Sequence, residues 1–399
     1  MTMREERQQS DAMTATKPLP HLPARAADHA ADVVAQLAIE LRSVLLHRCS
    51  TYYPGSDDGI PRLTLTPRHC GFSLIYRADL DLPNNGGRRR FIVKLRREHK
   101  HGSFLVRDLT EQTLALSRGE YDEHQLAYRF FVSRTDGLSV VRPLDFIESC
   151  NAIVVEYADG EDLSLLVKAR SALTTESIRK CGRWWRLFHH ELHQSREREW
   201  DPAVIDSMVE VRLARLRRIG APLESLDTVR SEIAAVARRV TPARVPVGRM
   251  HGDCKLRHVW ATSDGIQVFD FGNTKVGDAW LDPAALVVEL CTNSLWSQRL
   301  DSSPWVDDIR TLLRAYFDGP PPAAFALYVV DILLKKWHRR LRNWGSGAGL
   351  TMLRRSLQTA HLDKSVDRLY IDRWFTTQLR AWLALADGSP PAWLAPVVD

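Results

Sequence analysis

Apolar residues along this chain change their period near residue 158, and the change divides it. Val33, Leu37, Leu41 and Leu45 recur every four residues, which puts them on one face of a helix over 32–46. Three runs of alternating or continuous apolar character follow: Arg62-Leu63-Thr64-Leu65-Thr66, Phe72-Ser73-Leu74-Ile75-Tyr76-Arg77 and Phe91-Ile92-Val93-Lys94-Leu95. They read as successive antiparallel strands. Pro83-Asn84-Asn85-Gly86-Gly87 is a turn by its chemistry, since Asn-Gly and Gly-Gly accept positive φ. Helical period returns over 111–131, and 139–146 and 152–157 are strand-like. After the turn Ala158-Asp159-Gly160 the pattern is helical over 174–193, 202–218 and 223–239, and mostly helical beyond Pro283. The expectation is an α+β fold with a polar, flexible tail over 1–31, a small antiparallel β lobe over 32–157 and a large helical lobe over 158–399.

Composition adds bounds. The chain has 399 residues, of which 44% are hydrophobic and 26% charged, enough apolar material for two lobes. A net charge of +6 suits anionic ligands such as nucleotides and does not by itself call for nucleic acid. The 6 cysteines show no metal-ligand spacing and read as reduced thiols of a cytoplasmic protein. Residues 1–31 lack the apolar core of a secretory signal. The longest apolar-rich stretch, 323–334, contains Asp331 and is too short to span a bilayer.

The chemistry concentrates in His251-Gly252-Asp253-Cys254-Lys255-Leu256-Arg257-His258 and, shortly after, Val268-Phe269-Asp270-Phe271-Gly272. These are two carboxylates delivered to one site. Asp253, in a short loop behind His-Gly, can accept a proton from an attacking hydroxyl. Asp270 ends the apolar run 266–269, where an acid needs a reason to be. It can hold Mg²⁺ on a nucleotide's phosphates, or simply cap a turn. The two motifs, in this order and followed by Gly277-Asp278-Ala279-Trp280-Leu281-Asp282-Pro283-Ala284, resemble the aminoglycoside phosphotransferase and choline kinase family, which has a bilobal protein-kinase-like fold. The resemblance covers about 63–284.

It implies a kinase that moves the γ-phosphoryl group of ATP or GTP, with Mg²⁺, to a hydroxyl of a small acceptor. Asp253 takes the place of the catalytic base and Lys255 that of a cation near the γ-phosphate. Asp270 becomes the metal ligand. Lys94, the one cation inside a buried-strand pattern, pairs with nucleotide phosphates. An acid on the next helix orients it: Glu120, with Glu123 one turn on as the competitor. Ser73, in His69-Cys70-Gly71-Phe72-Ser73, falls where the family covers the phosphates. Glu156-Tyr157, with Gly160 and Leu163, resembles the hinge whose backbone holds the adenine. His251 reads as a buttress of its loop. Asp278 and Asp282 read as structural, Asp282 as an N-cap with Pro283 at the first helical position.

His258 departs from the family, which carries Asn there. Imidazole can offer a nitrogen to a second metal ion, although Mg²⁺ prefers oxygen. The H-x-D-x4-H form is similar to the loop of lipopolysaccharide core sugar kinases. The departure leaves a second reading open, a catalytically degenerate kinase fold that binds nucleotide or a partner. A protein kinase is the weakest reading, since the chain lacks the H-R-D form and the A-P-E element. Finally, Lys335-Lys336-Trp337-His338-Arg339-Arg340-Leu341-Arg342 interleaves basic residues with tryptophan. With Asn343-Trp344 following, it reads either as a solvated helix face with two core tryptophans or as a contact for an anionic lipid surface, a phosphorylated glycan or nucleic acid. With His258 it turns the expected acceptor toward an anionic sugar or glycolipid; no nucleic-acid partner is expected.

Overall fold

A computed structural model describes residues 24–54, 60–70, 73–83, 87–97, 103–221, 223–241, 243–297, 299–345 and 364–397. In chain order the elements are α1 (Ala24–Tyr52), β1 (Arg62–Cys70), β2 (Ser73–Asp81), β3 (Arg88–Arg96), α2 (Glu111–Phe131), β4 (Leu138–Val140), β5 (Pro143–Ile147) and β6 (Ala152–Glu156). Then come β7 (Glu161–Asp162), α3 (Leu163–Ala169), α4 (Thr174–Leu187), β8 (Arg196–Glu199), α5 (Pro202–Arg218), α6 (Leu223–Arg239), β9 (Arg244–Met250), β10 (Val259–Ala261), β11 (Ile266–Val268) and β12 (Lys275–Asp278). The helices α7 (Leu281–Trp296), α8 (Val306–Phe317), α9 (Phe325–Gly345) and α10 (Lys364–Ala386) complete the chain. The class is α+β, as the apolar pattern predicts.

Packing separates two compact units: Met1–Gln125 with Val141–Tyr157, and Leu126–Val140 with Ala158–Asp399. The first unit is built on a five-stranded sheet in the order β1-β2-β3-β6-β5, with all its pairings antiparallel. Strand alternation sends Leu74, Tyr76, Ala78 and Leu80 of β2, and Phe91, Val93 and Leu95 of β3, to one face. There they pack with Leu37, Leu41 and Leu45 of α1. The helix expected over 32–46 is thus longer at both ends, and it begins inside the expected tail; residues 1–23 lie outside the described residues, as do Asn84, Asn85 and Gly86 of the predicted turn. Tyr52 Oη and Arg48 both donate to Asp145, at 2.6 and 2.5 Å, tying α1 to β5.

The second unit holds a four-stranded sheet, β4-β11-β10-β7, and a three-stranded one, β12-β9-β8, among its helices. Its core includes Trp184, Trp185, Phe188, Phe271, Trp337 and Trp374. Two expectations need correction. The strand read over 139–146 is two strands: β4 runs parallel to β11 in the second unit, and β5 pairs β6 in the first. Pro143 has no N–H to continue one ladder through both. The segment 126–140, assigned by the apolar pattern to the β lobe, therefore packs with the helical unit. The helix read over 174–193 stops being α at Leu187 and continues as one π turn, Phe188–Leu192. Among the described residues no helix is long and apolar enough to cross a membrane.

Candidate active site

Two strand pairs frame the loop that carries Asp253. β9 leads into it and pairs β12, with Met250 opposite Lys275. β10 leaves it and pairs β11, with Val259 opposite Val268. That second register sets His258 beside Phe269, whose N–H donates to the His258 carbonyl at 3.2 Å. Asp270 follows directly. The hairpin thus brings together two motifs that are separate in the chain, and Asp253, His258 and Asp270 each offer a ligand atom within 4.8 Å of the others.

The loop is held in place by residues outside that trio. Gly252 has φ +76, and a Cβ there would lie 2.2 Å from the Asn273 carbonyl oxygen, so no other residue fits the turn. Asp282, 2% exposed, accepts the His251 N–H at 2.7 Å and the Gly252 N–H at 3.0 Å. His189, carried inward on the π turn, lies with Nε2 3.1 Å from the same carboxylate and Nδ1 3.0 Å from Tyr316 Oη. Burial alone would raise the Asp282 carboxyl, but the His189 bond and the His251 contacts bring it below the usual range. Asp282 is therefore not the N-cap of α7, which begins at Leu281 behind Trp280; it sits inside the first turn and faces the loop. His251 is fully buried, edge-on to Trp185 at 5.1 Å, with Nε2 3.3 Å from the Phe269 carbonyl. Burial lowers its pKa, so it is a neutral strut. Phe271 is fully buried between His251 and the aromatic core. Farther along the loop, the Leu256 N–H donates to Glu289 at 2.7 Å.

Within the cluster, Lys255 Nζ donates to Asp253 Oδ2. His258 is 5% exposed, and burial drives its pKa down to about 4, outweighing the pull of Asp270. Neutral imidazole has one N–H. Nδ1 lies 3.1 Å from the Asp253 carbonyl oxygen, which can only accept, so the proton belongs on Nδ1. Nε2 then presents its lone pair. It meets a 3.4 Å contact from Arg257 Nε on one side and stands 3.4 Å from Asp270 Oδ2 on the other. The Arg257 guanidinium is thus the cation that meets this lone pair beside the Asp270 carboxylate, and a metal ion on Nε2 would take its place. Asp270 itself takes φ +70, a left-handed conformation that Asp tolerates better than most residues. Two carboxylates and a neutral imidazole are a donor set that fits a divalent cation, with oxygen in the majority.

In the first unit, Lys94 lies on the sheet face opposite the α1 core, because its neighbours Val93 and Leu95 point into that core. Its Nζ is 2.6 Å from Glu120 Oε1 on α2, and Glu120 is 5% exposed. Arg96 approaches the other oxygen at 3.9 Å. Glu123, one turn on, is equally buried. Ser73 opens β2 opposite Cys70; Gly71 and Phe72 of the expected phosphate loop lie outside the described residues. Glu156 ends β6, its carboxylate 3.2 Å from Arg142. The Glu156 N–H donates to the Arg142 carbonyl and the Tyr157 N–H to the Arg90 carbonyl, so a purine contact through this backbone falls to the other groups of the segment. The Arg90 guanidinium also covers the Tyr157 ring at 4.5 Å.

Sequence reasoning missed His189 and Glu289. His189 carries no local signal, since its inward direction depends on the π turn. Glu289 did carry one, as an acid within the apolar run Ala284-Ala285-Leu286-Val287-Val288-Glu289-Leu290-Cys291.

A family model described as APH, phosphotransferase enzyme family, matches residues 85–326, more than half of the chain. Among solved structures, a choline/ethanolamine kinase family protein from Mesorhizobium loti is similar at 15% identity, covering 84% of this chain and 99% of that one, with a TM-score of 0.46. A macrolide 2'-phosphotransferase from Brachybacterium faecium is similar at 16% identity, 81% and 100% coverage and a TM-score of 0.44. A choline kinase from Cryptosporidium parvum is similar at 9% identity, 79% and 94% coverage and a TM-score of 0.45. A comparison with curated proteins finds no match.

Proposed function

The chain belongs to the APH phosphotransferase enzyme family, and from that membership we propose that it transfers the γ-phosphoryl group of ATP or GTP to a hydroxyl of a small acceptor of the sugar, aminoglycoside-like or glycolipid type. The observation that carries this reading is the convergence of Asp253, His258 and Asp270 on a loop pinned from behind by Asp282.

In this account Asp253 orients the acceptor hydroxyl and takes its proton as the new O–P bond forms and the bond to the leaving diphosphate breaks. Lys255, already on Asp253, neutralises charge that develops on the transferred group. Asp270 and His258 are the residues that would hold Mg²⁺, which when bound screens the phosphate charge. Lys94, steadied by Glu120, pairs with nucleotide phosphates. Ser73 is an additional donor to them, and Glu156 and Tyr157 border the purine without giving it their N–H groups. The buried free thiols Cys150, Cys181, Cys254 and Cys291 support a cytoplasmic setting. The exposed Lys335, Arg339 and Arg342 of α9 are the residues that would touch an anionic membrane surface, should the acceptor be a glycolipid.

The test is nucleotide turnover against a panel of sugars, aminoglycosides, amino alcohols and glycolipids, with native protein and Asp253→Asn. The variant should keep nucleotide affinity and lose turnover by roughly a hundredfold or more. Near-normal turnover would remove Asp253 from the chemistry. Nucleotide binding by the native protein with no turnover on any acceptor would favour the degenerate reading instead.

A further inference from the structure

Lysines from three elements gather around the Asp253 loop. Lys255 lies in the loop and bonds Asp253. Lys275 opens β12 opposite Met250, the residue before His251. Lys335 and Lys336 come from α9, whose Trp337 and Leu341 are turned into the core. Lys336 Nζ is 3.6 Å from Glu289 Oε1, and the other oxygen of Glu289 accepts the Leu256 N–H, so one carboxylate links α9 to the loop. Lys335 is exposed along its surface face yet partly desolvated against its neighbours, and that desolvation lowers its pKa first, then the like charges of Arg212 and Lys275, with Asp331 and Asp253 pulling the other way. Lys275 thus stands beside the Asp253 loop through the β9–β12 register, and α9 is tied to the same loop through Glu289.

The acids of this region are engaged internally. Asp253 pairs Lys255, Glu289 pairs Lys336, and Asp331 receives Arg212 at 2.9 and 3.2 Å. Among the described residues, no carboxylate lies within ion-pair distance of Lys275 or Lys335, and both are exposed. A merely solvated helix face has no reason to bring its ammonium groups toward a second lysine on another element, because like charges cost free energy when held together. Here two elements do so beside the loop that carries the proposed base.

We propose that Lys275 and Lys335, with Lys336 behind them, form a subsite for an anionic group, carboxylate or phosphate, carried by the acceptor next to the hydroxyl that is phosphorylated. The subsite rests on the reading of Asp253 as the residue that orients the acceptor. It fixes the acceptor's charge: an acidic or phosphorylated sugar or a glycolipid headgroup enters, and a cationic amino sugar is repelled.

The experiment uses the full chain, native and with the Lys275→Ala/Lys335→Ala double substitution. Both positions are exposed, so the variant keeps its fold. Calorimetry first measures binding of Mg²⁺ with a non-hydrolysable ATP analogue, which occupies the γ-phosphate position. Failure of the native protein to bind it would count against the nucleotide reading, and the anion titrations would still be read alone. Inorganic phosphate and glycerol 3-phosphate are then titrated into each protein. The native protein should bind both, the double variant at least tenfold more weakly, and the analogue's affinity should agree within twofold. Native protein that binds neither anion, or a double variant that binds them equally well, would overturn the proposal. Co-sedimentation with phosphatidylglycerol vesicles separates the sources. Native protein carried down where the double variant is not supports a headgroup; soluble glycerol 3-phosphate bound without vesicle capture supports a free acceptor; vesicle capture of both proteins alike, together with equal binding of the soluble anions, contradicts the subsite.

Discussion

Asp282→Asn probes the support of the loop without touching the reacting groups. The native carboxylate is buried and receives two backbone N–H groups and His189. Asparagine keeps one acceptor oxygen and turns its NH₂ toward a donor that formerly had a partner. An unsatisfied buried donor costs about 1–3 kcal/mol, and the lost charge assistance adds to it. The expected loss of stability is therefore about 2–4 kcal/mol, a large share of a typical domain's 5–15 kcal/mol. Alanine would leave both amides unpaired and open a cavity as well, so asparagine is the variant to use. Because Asp282 fixes the backbone just before Asp253, a displacement of the loop by about an ångström should lower kcat by roughly a hundredfold. The nucleotide affinity conferred by Lys94 and Glu120 should change little. Chemical denaturation gives the first quantity, and single-turnover kinetics with a nucleotide titration give the others. A variant as stable and as active as native protein would refute the claim that this carboxylate positions the loop.

Lys94→Ala and Glu120→Ala should each raise the nucleotide KM, and the double variant should cost less than the sum, because the 2.6 Å pair acts as a unit; strict additivity would show that they work apart. If His258 holds a metal ion, His258→Asn should keep activity in Mg²⁺ while native protein favours Mn²⁺ more than the variant does; identical rates for both proteins in both metals would remove His258 from the metal site. In metal-free protein the buried ring of His258 stays neutral near pH 7. Its folded pKa of about 4 lies below the unfolded 6.5, so the unfolded chain binds the extra proton. Stability from this group is full above pH 6.5 and falls as pH drops toward 4, by up to about 3 kcal/mol. His258→Asn should flatten that part of the acid-denaturation curve.

Much of this was legible in local pattern. β1, β2, β3 and β6 and the helices at 111–131, 202–218 and 223–239 follow from apolar period, and the two acidic motifs sit in the loop and strand end that their neighbours predict. What escaped depended on long-range packing. Leu138–Val140 is a strand of the second unit because β11 lies beside it, and Ser139 Oγ donates to the Ile266 carbonyl, 127 residues away in sequence. Asp282 before proline has every local mark of an N-cap, and only the arrival of His251 and Gly252 shows its other use. Lys275 looks like any exposed cation until the β9–β12 register sets it beside the loop.

The most direct test of phosphoryl transfer at the Asp253–His258–Asp270 cluster is the Mg²⁺ dependence of ADP binding in native protein and in Asp270→Asn. Asparagine is chosen because it tolerates the φ of +70 at this position while removing the charge. The account predicts that Mg²⁺ strengthens ADP binding to native protein, and that the variant loses this strengthening with its melting temperature nearly unchanged. Equal Mg²⁺-dependent affinity in the two proteins would contradict the assignment of Asp270, and with it the proposed centre.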